Sequence, residues 1–204
     1  MKLRIPDIQL LENHLPAGTA TAIHKWILEL KIEFIVSKPR KTKLGDFRPA
    51  YGKKPARITI NGDLNRYHFL ITTIHEFAHL GCYLKHGNKV LPHGKEWKII
   101  YSQLLDKFLK EGMFPEKLEP AVKKHLRRPS ASSCTDHVLL RTLAQFDDTP
   151  KLFLSQIPLN THFSLHDKSY KVLEKRRTRY LCLRLDDRKK YLVSGNAAIE
   201  QVEA

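Results

Sequence analysis

His75, Glu76 and His79 form an HExxH pattern, and His93 follows within Pro92-His93-Gly94. Residues four apart on an α-helix lie one turn above each other, so the imidazoles of His75 and His79 can grip one metal ion. Glu76 then stands beside them as a base for water, the arrangement of a zinc hydrolase and most often of a peptidase. Chance is a poor source of the pattern. With 11 His and 11 Glu in 204 residues, roughly 0.03 random occurrences are expected.

A catalytic zinc usually keeps three protein ligands and one open position. Downstream, His86, His93 and Glu96 are the candidates for the third. His86 lies two turns past His79, too far along the axis if the helix continues. Gly87-Asn88 offers a helix stop, and the loop to Pro92 can bring His93 back to the metal. His93 is therefore the favoured ligand. His86 reads as a polar helix-end residue, and Cys82, three residues past His79, reads as core.

These residues need a helix to hold them. Tyr67, Leu70, Ile71, Ile74, Phe77, Ala78, Gly81 and Cys82 recur at three- and four-residue intervals, and no proline interrupts 63–91. That pattern is an amphipathic helix, with Asn61-Gly62-Asp63 as the turn and cap before it. Around it, residues 7–33 read as helix broken at Pro16–Thr19, with Thr19 or Thr21 capping the longer piece. Glu33–Val36 and Ile58–Ile60 read as strands, with a further strand near Lys43–Phe47. Gly94–Gly112 reads as a second long helix whose apolar face carries Trp97.

Taken together, HEFAHL, the following KHG and above all PHGKEWK (Pro92–Lys98) resemble the SprT-like zinc metallopeptidases, relatives of the eukaryotic DNA-dependent protease Spartan. The run LGDFRPAYGKKPARITIN (Leu44–Asn61) resembles the strand region ahead of the active helix there. The likeness covers roughly residues 1 to 125. It implies a zincin-like fold, one zinc held by His75, His79 and His93, Glu76 as catalytic base, and action on DNA-bound or crosslinked proteins. The chain departs from many bacterial relatives at its C-terminal end. It has only Cys82, Cys134 and Cys182 and no CxxC, so it cannot build a four-cysteine ribbon by itself.

The formal net charge is +15, and it is unevenly placed. Residues 1–128 carry 24 Lys and Arg against 12 Asp and Glu, a net +12, whereas 129–204 carry 12 against 9, a net +3. Lys38, Arg40, Lys41, Lys43, Arg48, Lys53, Lys54 and Arg57 stand against Asp46 alone. Such density attracts polyanions through counterion release, so these eight are the candidate nucleic-acid contacts, with single-stranded DNA among the possible partners. The segment immediately precedes Ile58–Ile60, the strand expected to border the cleft and to offer its edge to a substrate strand.

Composition shifts near Pro115–Ser133, where a basic helix end meets Pro129-Ser130-Ala131-Ser132-Ser133. Residues 1–128 are thus expected to form the metallopeptidase domain, and 129–204 a second, β-rich one. Five short strands there predict a small antiparallel sheet or barrel, of the size used to bind nucleic acid or peptide. Its basic patch is Lys175–Tyr180, with Tyr180 placed to stack on a base. The fold class expected overall is α+β: a zincin-like domain with an HExxH helix and small sheet, then an antiparallel β domain. No run of eighteen apolar residues is present, so no membrane span is expected. Cysteine usage fits a reducing, cytoplasmic setting. No phosphate-binding glycine loop supports ATP-driven chemistry. The rival reading is a nucleic-acid-binding protein with a structural or vestigial zinc site.

Overall fold

A computed structural model describes residues 4–40, 43–129, 136–149 and 151–201. Lys41, Cys134 and the serine connector at 130–133 lie outside the described residues. Within them the chain is a mixed α/β protein of two compact units, Met1–Asp147 and Asp148–Ala204.

The first unit opens with two short helices, α1 (Ile8–His14) and α2 (Ala20–Glu29). Asp7 caps α1 by accepting from the Gln9 N–H. Thr19 precedes α2, but its hydroxyl donates to the Pro16 carbonyl instead of capping the helix. Three strands follow: β1 (Glu33–Ser37), β2 (Gly45–Arg48) and β3 (Arg57–Asn61). Their order in the sheet is β1-β3-β2, with β1 parallel and β2 antiparallel to β3. The strand expected to offer an edge, Ile58–Ile60, is therefore the central one, paired on both sides. The free edge beside the cleft belongs to β2.

Helix α3 (Arg66–His86) carries the HExxH residues through the middle of this unit. Phe69, Leu70, Ile71, Ile74, Phe77, Ala78 and Leu80 are all buried, so the helix is covered nearly all round, the expected state of a helix that is apolar on most faces. Its cap is Asn65, whose side chain accepts from the His68 N–H. The expected turn at Asn61-Gly62-Asp63 is present, with the Asn61 side chain accepting from the Asp63 N–H, but it lies ahead of the cap, and Asn61 also bonds to the N–H and the C=O of Arg40. Gly87, at φ 60, ends the helix where a Cβ would be strained. Helix α4 (Lys95–Lys110) packs Trp97, Tyr101, Leu105 and Phe108 behind α3.

Two further helices complete this unit, α5 (Glu119–Arg127) and α6 (His137–Ala144). The division drawn from composition at 128/129 falls before α6, whereas the compact unit ends at Asp147. The physical reason is packing: Leu139 and Leu143 are fully buried in the same core as α3. In addition, the Asn65 amide donates to the Leu143 carbonyl at 2.9 Å. Asp136 joins the pieces, capping α6 with one carboxylate oxygen and meeting His125 Nδ1 with the other at 2.9 Å.

The second unit is a six-stranded antiparallel sheet made from β4 (Leu152–Phe153), β5 (His162–Leu165), β6 (Lys168–Lys175), β7 (Arg179–Arg184), β8 (Lys190–Ser194) and β9 (Ala198–Gln201), in the order β4-β9-β5-β6-β7-β8. The five expected strands are present, and β9 is the additional one. Phe163, Tyr170, Val172, Tyr180, Cys182 and Ile199 form its core. Tyr180 is thus a packing residue and not a stacking platform; strand alternation puts it on the covered face with Cys182. Among the described residues no helix is long and apolar enough to cross a membrane.

Candidate active site

Helix α3 sets His75 and His79 one turn apart, and the loop after Gly87 returns His93 to them. The three Nε2 atoms lie 3.1, 2.9 and 3.1 Å from one another. His93 holds φ 59, a left-handed conformation that costs a non-glycine residue about 1 kcal/mol or more. His86 and Glu96 do not join the trio, nor does Cys82; among the described residues His75, His79 and His93 are the donors that converge.

The imidazoles are kept neutral, as a metal requires. Burial, with the neighbouring histidines adding to it, pushes His75 down to about 3 and His79 to about 4, and burial with Lys98 lowers His93. Three neutral rings aimed at one point set lone pair against lone pair unless a cation lies between them. The donor set fits zinc: tetrahedral ligands at the usual Zn–N length sit about 3.3 Å apart, close to the spacing found. Trp97 backs all three rings, with centroid distances of 4.7, 5.4 and 4.8 Å, and stacks on Tyr101 at 4.8 Å. Trp97 is a core residue, as its helix face implies, and it also packs against the three imidazoles.

Glu76 is 6% exposed. Burial pushes its carboxyl up to about 8, with Asp46 adding to the rise and Arg40, a backbone hydrogen bond from Phe47 and Lys43 opposing it. Asp46 goes the other way. Burial raises it, but the Arg40 hydrogen bond and the charges of Arg48, Arg40 and Lys43 outweigh that and hold it low.

Gly45 is a site residue that the sequence does not reveal. A Cβ built there would stand 2.7 Å from Glu76 Oε1, 2.9 Å from its Cγ and 3.0 Å from Thr72 Cγ2. Strand β2 therefore lies directly over the Glu76 carboxylate, and only glycine allows it so close. Strand β2, α3 and the 87–93 loop enclose a cleft of about 770 Å³ containing all four chemistry-bearing residues.

The basic segment divides. Lys38, Lys43, Arg48, Lys53 and Lys54 are exposed, while Arg57 is half-buried. Arg40 is half-buried and committed to Asp46 at 2.9 Å, which removes it from the free phosphate contacts. Arg4, Arg48, Lys54 and Arg57 line a second hollow of about 520 Å³ with Glu33 and Tyr51, and Pro49 lines both it and the main cleft. Tyr51 is 84% exposed on a tight turn closed by paired hydrogen bonds to Lys54. Tyr83 lies against Phe47 in the main cleft.

Residues 20–124, just over half of the chain, match the SprT-like family. The chain belongs to the SprT-like family. Comparison with curated proteins and with solved structures gave no match. Membership brings with it a metallopeptidase-like function and zinc binding, and the matched span contains α3, His93 and the whole three-stranded sheet.

Proposed function

We propose that this protein is a zinc-dependent endopeptidase of zincin-like architecture, directed by DNA to proteins bound or crosslinked there. The observation that carries the peptidase reading is an unpaired strand edge, β2, lying over Glu76 beside three converging imidazoles. An extended polypeptide can add to that edge through main-chain hydrogen bonds, with little demand on its sequence.

His75, His79 and His93 would hold the zinc. When bound, it supplies Lewis acidity, lowering the pKa of water toward about 7 and polarising the scissile carbonyl. The chain's own groups do the rest. Glu76 accepts the proton of the attacking water on a carboxylate oxygen and passes it to the leaving amine nitrogen. Its burial, which favours the protonated form, suits a group that must hold that proton between the two steps. Trp97 and Tyr101 keep the ligand rings in place from behind.

Support for DNA comes from charge and shape. Exposed Lys43 lines the cleft, and the Tyr51 hollow offers Arg4, Lys54 and Arg57 against Glu33, together with Arg48, which is also paired with Asp46 at 3.3 Å. Phosphates would be neutralised by those cations, and an unstacked base could lie on the Tyr51 ring. The shared Pro49 makes the two hollows neighbours, so a protein held on DNA would be presented to the cleft.

Glu76→Gln tests the mechanism. That variant should bind one zinc per chain and cleave no protein. Undiminished cleavage by it would remove Glu76 from the chemistry and the mechanism with it.

A further inference from the structure

We propose that the cleft selects a bulky apolar side chain one or two residues to the N-terminal side of the bond it cuts, a selectivity that rests on the peptidase reading above. Direction is set by β2. Gly45 lies against Thr72 and Glu76, whereas the Phe47 ring is 5.9 Å from Tyr83, further along α3. Strand β2 thus advances beside α3 in the same direction, from the Thr72 end past the catalytic residues to the Tyr83 end.

The outward groups of β2 are also defined. The Leu44 carbonyl accepts from the Asn61 N–H, and an antiparallel ladder alternates with a period of two residues. Asp46 and Arg48 therefore turn their main chain toward β3, and Gly45 and Phe47 turn theirs to the open edge. The Phe47 N–H, turned outward, donates to Glu76, which leaves the Phe47 carbonyl and the main-chain groups of Gly45 for a substrate strand.

A polypeptide joining this edge pairs best as an antiparallel strand, so it runs from the Phe47 end to the Gly45 end. Residues N-terminal to the scissile bond then meet Phe47, Pro49, Tyr83, Val90 and Leu91, a wall without a charged side chain. Residues C-terminal to it meet exposed Lys43 and half-buried Leu44 above Ile71 and Thr72, which are almost fully buried, so the group left in solvent on that side is a cation. Tyr83 is one turn beyond His79, about 5.4 Å along the axis, and a strand advances about 3.3 Å per residue. The apolar wall is therefore one or two residues from the reacting carbonyl. Leu91 stands 78% exposed at the mouth of the cleft, where a bound side chain would meet it.

The experiment uses the full-length, zinc-loaded protein with single-stranded DNA present. A library of unstructured peptides is digested, cut sites are read by mass spectrometry, and Glu76→Gln is run beside it. Phe, Leu, Met and Tyr should be enriched about fivefold or more one or two residues before the cut, with a flat distribution after it. Leu91→Glu, a change on an exposed side chain, should lower that enrichment at least twofold and admit Lys and Arg there. Glu76-dependent cutting without N-terminal enrichment, or with the enrichment on the C-terminal side, would overturn the selectivity and leave the peptidase reading standing. Absence of any Glu76-dependent cutting would overturn both.

Discussion

Replacing Gly45 with alanine should disable catalysis without unfolding the protein or releasing its metal. The added methyl would stand 2.7 Å from Glu76 Oε1, and ordinary contact begins at 3.4 Å. The carboxylate must retreat by that difference, about 0.7 Å, because Cγ at 2.9 Å and Thr72 Cγ2 at 3.0 Å leave no sideways escape for the methyl. A misplacement near 1 Å costs about 100-fold, so kcat/KM should fall roughly 10- to 100-fold, or about 1.4–2.7 kcal/mol of transition-state stabilisation. Gly45 lies outside the left-handed region. The backbone therefore accepts alanine, and the strain falls on the Glu76 side chain. The assay is kcat/KM on an unstructured protein substrate, with zinc content and Tm measured on the same preparation. Activity within twofold of the parent, at one zinc per chain, would refute the claim that β2 positions Glu76.

Four other outcomes follow from the same structure. His93→Ala should lose stoichiometric zinc by metal analysis, while His86→Ala and Glu96→Gln keep it; zinc retained by His93→Ala would remove that residue from the ligand set. Leu139→Ala, at a fully buried site, should cost about 2–5 kcal/mol in denaturant unfolding, and a loss under about 0.5 kcal/mol would place α6 outside the first core. At Asp136, burial raises the carboxyl, but the Leu139 N–H and His125 outweigh it and hold it below its usual value. Its stabilising contribution is therefore complete above the ordinary carboxylate pKa of about 3.9 and fades as pH falls through the lowered one. Asp136→Asn, which can still cap α6, should flatten the acid limb of Tm against pH, and an unchanged limb would contradict this. Finally, Lys53→Glu with Lys54→Glu should weaken DNA binding and reduce the slope of log K against log salt by about 1 for each phosphate no longer neutralised, whereas an unchanged slope would remove those lysines from the interface.

What could be read from the residues follows locality. The HExxH helix was legible because His75, Glu76, His79 and their apolar neighbours repeat within one element, and His93 because Gly87 and Pro92 mark a stop and a return. The cap at Asn65 was not, since Asn61 offers the same chemistry and only the fold commits its amide to Arg40. Strand order is a long-range property, so nothing in Ile58–Asn61 says that β1 and β2 flank it and leave β2 as the edge. Gly45 is silent for the same reason: its meaning depends on a glutamate 31 positions later. In β7, Tyr180, Leu181, Cys182 and Leu183 are apolar on both faces, which hides the side Tyr180 takes. Helix α6 follows a serine-rich connector and carries only two buried leucines, too weak a period to announce itself.

The most direct measurement is cleavage of a basic DNA-binding protein by the zinc-loaded chain, with and without single-stranded DNA, beside Glu76→Gln. DNA-stimulated cleavage that disappears in the variant is the predicted result. No cleavage under any condition, with zinc and DNA both bound, would contradict it and leave a nucleic-acid-binding protein with a structural metal.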